Sequence, residues 1–295
     1  MRASPPLALL AIALLCAEPP AALAQNGPVR DRVDSLAVRY PTVPGAARVP
    51  FGPGERLVYK VKVGIFGVGE GQMALEGVDT VRSHPVYRAN LTIKGGLGPA
   101  HVDDNSTSWF DLRTLVSRRF IQDIHEVGYE SYRHYEMYPS ERRWERQDND
   151  EFGPLGSALP LDDVAFIYYL RALPLEVGKT YTLSRYFKED GNPVVIKVLR
   201  RDQRETGAGK FNTIVVKPLI RTKGLFSQGG DAELHFTDDE RRILVYLKSN
   251  IPKFPGSLTL HLEELHEGLP LNAQAREAAL ERRTGAGTSA GSSSP

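Results

Sequence analysis

The chain has 295 residues, with 37 lysines and arginines against 36 aspartates and glutamates, and a formal charge of +1. Acids and bases are interspersed, so the basic face that a nucleic-acid partner requires is missing. Cys16 is the single cysteine, which excludes a disulfide framework within the chain.

The N-terminus reads in three parts. Arg2 gives a positive start, Leu7–Ala17 is almost wholly apolar, and Ala22-Leu23-Ala24 places small residues at the −3 and −1 positions of a cleavage site. The apolar run is shorter than the roughly 20 residues a bilayer span needs, and Pro19 and Pro20 break it. Residues 1–24 are therefore expected to be a signal peptide. The mature chain would begin at Gln25 and be delivered, soluble, to the periplasm of a Gram-negative-type bacterium. Lipid attachment at Cys16 is the alternative, but Leu15 precedes it where a small residue is wanted. Cleavage after Ala24 discards the only thiol and with it thiolate metal sites and cysteine nucleophiles. No second long apolar stretch follows, so no transmembrane helix is expected in the mature chain.

Residues 25–48 are interrupted by Pro28, Pro41 and Pro44 and read as a linker or loosely docked arm. From Val49 the texture changes to short period-2 runs. These are Leu57–Val63, Gln72–Glu76, Val86–Lys94, Thr107–Phe110, Leu115–Ile124 and Tyr129–Tyr138, then Thr180–Phe187, Val194–Leu199, Phe211–Pro218, Ala232–Phe236, Ile243–Lys248 and Ser257–Leu265. Gly64–Gly71 reads as a turn region. Many short alternating segments predict a mainly β fold, a strongly curved antiparallel sheet closing into a barrel or half-barrel. One segment differs. Between Pro160 and Pro174, Asp162 is a good N-cap and the following residues are apolar nearly all round, which predicts a short buried helix plugging one end of the sheet. Residues 49–266 thus form one β domain, followed over 267–295 by a weak helix at Asn272–Arg283 and a Gly/Ser-rich tail expected to be disordered.

Four stretches resemble a known family. Val49-Pro50-Phe51-Gly52-Pro53-Gly54-Glu55-Arg56-Leu57-Val58-Tyr59 is similar to the opening motif of the bacterial domain of unknown function 3108. Asp163–Arg171 with Pro174, Leu175 and Gly178 resembles its aspartate, double-tyrosine, Leu-Arg helix. Gly209–Val216 resembles a hairpin of the family, and Asp238–Ile243 with Gly256-Ser257-Leu258 resembles its closing block. Leu234-His235-Phe236 and Leu244 depart from it, where the family often has Trp and Pro. The resemblance spans residues 49–266. It implies an exported envelope protein with a curved antiparallel fold and no established activity, so it transfers no catalytic residues. A looser likeness to the lipoprotein-carrier type of half-barrel is one of fold alone.

The residues themselves offer few assembled chemistries. Gly64-Ile65-Phe66-Gly67-Val68-Gly69-Glu70-Gly71 is followed by a strand pattern rather than the helix a phosphate loop needs, so a turn or bulge explains it better. His101 with Asp103, and Asp123 with His125, are the acid–base or metal candidates, because residues two apart on a strand share a face. They supply two ligands at a time where a metal needs three or four, so no metal and no cofactor is expected. Tyr132, Tyr135, Arg143 and Trp144 belong to an aromatic and basic stretch able to line a groove for sugar or lipid head group, against ordinary cross-strand pairing. Asp162-Asp163 and Asp238-Asp239 are better explained by capping and turns than by glycosidase chemistry. The expectation is a non-enzymatic envelope module binding or carrying a lipid or other amphipathic ligand, or engaging an envelope protein partner. The alternatives are a hydrolase of envelope glycans or lipids using His101, Asp103, Asp123 and His125, and a structural module without small ligand.

Overall fold

The computed structural model describes residues 35–97, 100–126, 128–220, 232–250 and 257–288. The expected leader with Cys16, and residues 289–295, lie outside them. The fold is one 14-stranded antiparallel sheet. Its first eight strands are β1 (Glu55–Val63), β2 (Phe66–Val81), β3 (His84–Leu97), β4 (Ala100–Asp111), β5 (Ser117–Glu126), β6 (Tyr129–Tyr138), β7 (Arg143–Arg146) and β8 (Phe152–Pro154). Helix α1 (Asp163–Ala172) follows, then β9 (Thr180–Leu183), β10 (Val194–Thr206), β11 (Gly209–Leu219), β12 (Glu233–Thr237), β13 (Leu244–Asn250), β14 (Ser257–His266) and helix α2 (Ala273–Thr288). The spatial order is β8-β7-β6-β5-β4-β3-β2-β1-β14-β13-β12-β11-β10-β9, so β1 pairs with β14 in the middle and β8 and β9 are the edges.

The sheet is a half-barrel and is not closed by a β8–β9 ladder. Two isolated bridges, Leu155 with Lys188 and Leu161 with Tyr186, cross the seam instead. Backbone bonds reinforce them, Gly156 N–H to Phe187 O at 2.8 Å and Leu161 N–H to Arg185 O at 2.7 Å.

Alternation assigns the two faces. Leu57, Tyr59 and Val61 on β1, Met73 and Leu75 on β2, Tyr87 and Ala89 on β3, Phe110 on β4, Phe120 on β5 and Tyr135 and Met137 on β6 are all buried and share the inner face. Leu260 and Leu262 on β14, Leu247 on β13, Leu234 and Phe236 on β12 and Ile214 and Val216 on β11 continue it. Lysines, arginines and acids occupy much of the outer face. There Glu136 is buried and meets Arg82, Arg119 and His134.

Gly64–Gly71 is not one long turn. Only Gly64 and Ile65 lie between strands, and β2 begins at Phe66. Gly69 and Gly95 face each other across β2 and β3. A Cβ on Gly69 would come within 2.0 Å of Lys94 O, and one on Gly95 within 2.1 Å of Val68 O. These glycines allow two backbones to approach closely inside a sheet.

Residues 43–49 dock on the sheet. Ala46 and Val49 are buried, Ala47 N–H donates to Leu112 O at 2.8 Å, and Val43 N–H donates to Leu271 O at 2.9 Å. Helix α2 packs beside them, with Arg276 donating to Tyr40 O at 2.5 Å and Arg283 to Gly268 O at 2.9 Å. This docking carries α2 on to Thr288, past the expected end at Arg283. Neither helix is long and apolar enough to cross a membrane, among the described residues.

Candidate functional site at the open end of the inner face

Helix α1 starts where the sequence places it. The Asp162 carboxylate accepts the N–H groups of Val164 and Ala165, both at 2.9 Å, and the Ser108 hydroxyl at 2.6 Å. Burial lifts the Asp162 carboxyl to about 6 against those bonds. Half-buried Asp163 is also lifted to about 6, by lost water and then by the neighbouring Asp162 charge. Tyr168 of α1 packs edge-on against Phe51 at 4.9 Å and tilted against Phe110 at 5.5 Å. Arg171 donates to both Glu55 oxygens, at 2.5 and 2.9 Å, and to Arg241 O at 3.2 Å. Both ion-pair partners are essentially without solvent contact, 0% and 2% exposed. This end of the half-barrel is filled.

The other end is not. Inner-face burial falls in step along adjacent strands. On β3, Tyr87 and Ala89 are buried while Leu91 and Ile93 are half-buried. On β4, Phe110 and Ser108 give way to half-buried Ser106, Asp104 and Val102, and on β5 Phe120 gives way to Gln122, Ile124 and exposed Glu126. On β6, buried Tyr135 is followed by half-buried Arg133 and Ser131 and exposed Tyr129. Across β1 and β14, Val61 and Leu260 are buried and Val63 and Leu258 only half so. The register puts these positions on one rim. The result is a rim of half-buried positions, aliphatic on β1, β3 and β14, with a mostly polar flank on β4, β5 and β6.

That flank has its own electrostatics. The Asp104 carboxyl is raised to about 6, first by burial and then by the charge of Glu126, with which it shares a hydrogen bond. One Asp104 oxygen accepts His125 N–H at 3.2 Å. Arg133 donates to the Tyr129 hydroxyl at 2.5 Å.

His101, Asp103, Asp123 and His125 lie on the outer face of β4 and β5. Asp103 and His125 are opposite each other, Asp103 is paired with Lys94 at 3.1 Å, and His125 lies 3.0 Å from Asp123. These side chains are 39% to 49% exposed, apart from exposed His101 and 62% exposed Lys94. No wall excludes water from them, and no group of three metal-ligating side chains occurs among the described residues. The aromatic and basic stretch divides between faces. Tyr135 and Trp144 are buried, 5.6 Å apart and edge-on. The Lys188 ammonium stands over both rings, at 4.8 and 5.1 Å. Tyr132 is on the outer face, 51% exposed, and Arg143 stacks there on Tyr138 at 4.0 Å.

Sequence reasoning passed over Asp104, Ser106, Gln122, Glu126 and Arg133. The available signal is phase: counting by twos back from Phe110 marks Ser106 and Asp104 as inward, and forward from Phe120 marks Gln122.

The family model described as "Protein of unknown function (DUF3108)" matches residues 58–263. The chain belongs to this family. Its match begins at Val58, just after Phe51 and Glu55. In this member the opening segment, the α1 helix and the β12–β13 turn meet at the filled end, through Glu55, Arg171 and Arg241 O. No curated protein matches the chain. Among solved structures, it is similar to a beta-barrel-like protein of domain of unknown function DUF1849 from Brucella abortus, with TM-score 0.47 and 11% identity over 74% of this chain and 99% of that one. A candidate lipoprotein from Parabacteroides distasonis gives TM-score 0.34 and 12% identity over 75% and 99%. A candidate exported protein with a YmcC-like fold from Bacteroides fragilis gives TM-score 0.31 and 10% identity over 75% and 100%.

Proposed function

We propose that this is an exported protein of the cell envelope whose half-barrel binds an amphipathic ligand, a lipid or a molecule with a comparable acyl chain, on the open end of its inner face. The N-terminal leader pattern supports export. One observation carries the binding reading: the inner face stays apolar past the point where helix α1 stops covering it, so Leu91, Ile93, Ile124 and Leu258 are left half-buried. A folded monomer gains by covering such a surface, and a chain-like ligand covers it at low cost in polar desolvation. Arg133, Gln122 and Ser106 flank the apolar track and would hold the head group. The His101, Asp103, Asp123 and His125 group supports no hydrolytic reading, because its members are solvated.

The test is extraction and mass spectrometry of protein purified from its native envelope, with displacement of a fluorescent fatty acid as a second readout. Co-purifying lipid, lost when Ile93→Arg or Ile124→Arg places a charge on the track, is the expected result. Lipid-free protein that also fails to take up the fluorescent probe overturns the reading.

A further inference from the structure

The rim that opens the inner face also carries the β1–β2 hairpin tip. Gly64 adopts φ +60° there, and nothing lies within 4 Å of the position its Cβ would take. The backbone of the tip is tied to β14, Gly64 N–H donating to Ser257 O at 3.1 Å, while its side chains face open space. Its next two residues are Ile65, 87% exposed, and Phe66, 60% exposed. A lone exposed apolar residue needs no explanation, but two adjacent ones on a projecting tip form a wedge.

The outer face beside the wedge is cationic. Lys62 and Lys248 sit on either side of Thr259 in adjoining strands, and neither forms an ion pair among the described residues. Lys60 lies in the next row, opposite His261, which is opposite Tyr246. A groove of about 420 Å³ runs between them, lined by Lys62, Ile65, Tyr246, Lys248, Thr259 and His261 among others. Ile65 belongs to both features, so wedge and groove are continuous. Of the acids on this face, Glu233 is held by Arg200 at 3.1 Å, and Glu70 stands opposite Lys60, one row further from the tip than Lys62.

We propose that the β1–β2 tip and this groove form a docking surface for an anionic phospholipid bilayer, with Ile65 and Phe66 entering the acyl boundary and Lys62, Lys248 and Lys60 meeting lipid phosphates. Lysine stems lie along apolar surface while their ammonium groups reach the head-group layer. Charge complementarity selects the membrane over an apolar protein partner, since lysine is depleted in protein interfaces and is favoured at an anionic lipid surface. Docked this way, the open end of the inner face is brought to the bilayer, because Val63 and Leu258 of its rim adjoin the tip. The surface does not depend on the ligand reading above: vesicle binding stands even if the inner face holds no ligand.

The experiment is flotation of the purified protein with vesicles of phosphatidylcholine alone and of phosphatidylcholine with phosphatidylglycerol, at low and high salt. Binding is expected with the anionic vesicles only and should weaken in high salt. Phe66→Asp should lower the partition coefficient by at least about tenfold, and Lys62→Gln or Lys248→Gln by about fivefold each. All three sites are exposed or half-exposed, and an unchanged unfolding midpoint shows that each variant folds. Absence of vesicle binding, equal binding to neutral vesicles, or wild-type binding by Phe66→Asp and both lysine variants overturns the proposal.

Discussion

The two ends of one inner face are built from the same strands and differ in what covers them. At the α1 end the residues interlock: Phe51, Tyr168 and Phe110 fill space, and Glu55 and Arg171 neutralise each other where water cannot reach. At the open end the strands run on, but the inward positions become Ser106, Asp104, Gln122 and Arg133 beside half-buried aliphatics. The difference separates residues that hold the fold from residues that stand free to meet something else. Two of the family-like segments, the opening around Phe51 and Glu55 and helix α1, meet at the filled end.

The sharpest way to break this comparison is at the buried ion pair. Glu55→Ala or Arg171→Ala leaves an uncompensated buried charge and should cost about 3–5 kcal/mol. Replacing both by methionine should restore much of that loss. Urea unfolding measures both, and a single-variant cost under about 1 kcal/mol would mean the filled end is not the anchor it looks to be.

A smaller, pH-dependent effect belongs to the open end. Asp104 has its folded carboxyl at about 6, above the ordinary value of 3.8. A raised carboxyl means the folded state holds its proton more tightly than the unfolded state. Stability from this group is therefore present below pH 3.8 and is lost as pH rises through about 6. Asp104→Asn removes that loss, so the variant should gain on wild type between about pH 4 and about pH 7. Unfolding midpoints at the two pH values check it; a difference that does not change with pH refutes the assignment.

The smallest effect is again at the filled end. The hydroxyls of Tyr87 and Tyr168 are buried with no hydrogen-bond partner among the described residues. Each is an acceptor and donor withdrawn from water for nothing, and burial drives the Tyr168 hydroxyl well above its usual pKa. Tyr168→Phe should be neutral or stabilising by less than about 1 kcal/mol, because packing is kept and an unsatisfied group is removed. A clear loss of stability would show that the hydroxyl has a partner after all.

Much of this architecture was legible in the sequence, and the reasons are local. Alternation needs only neighbouring residues, so most strands were placed within a few positions. Asp162 and the flanking prolines, Pro160 and Pro174, marked α1 because capping and helix breaking are properties of single residues. The site was harder. Between Val102 and Phe110, β4 reads Asp103-Asp104-Asn105-Ser106-Thr107-Ser108-Trp109, with no aliphatic residue to say which polar positions face inward. Asp103 and Asp104 look alike in such a run, and only the register shows that Asp103 faces outward and Asp104 inward. Tyr132, Tyr135, Arg143 and Trp144 are near one another in sequence, but strands divide them between two faces. The glycines of β2 look like a turn in the sequence because the approaching backbone of β3 is not visible locally. The Glu55–Arg171 pair joins positions 116 apart in sequence, and no local pattern reports such a meeting.

The strand order has a consequence for how the molecule is made. Every ladder joins strands that follow one another in the chain, except that between β1 and β14. Two meanders can therefore assemble hairpin by hairpin as the chain emerges, each closing only short loops. The first strand to form must then keep its edge unpaired until the last one arrives to cover it, and until then that edge is a template for any extended chain nearby. Synthesis order and sheet order thus conflict at one seam in the centre of the protein. Joining the end of β14 to the start of β1 and opening the chain between β8 and β9 would yield a rearranged polypeptide in which that late meeting becomes an ordinary hairpin.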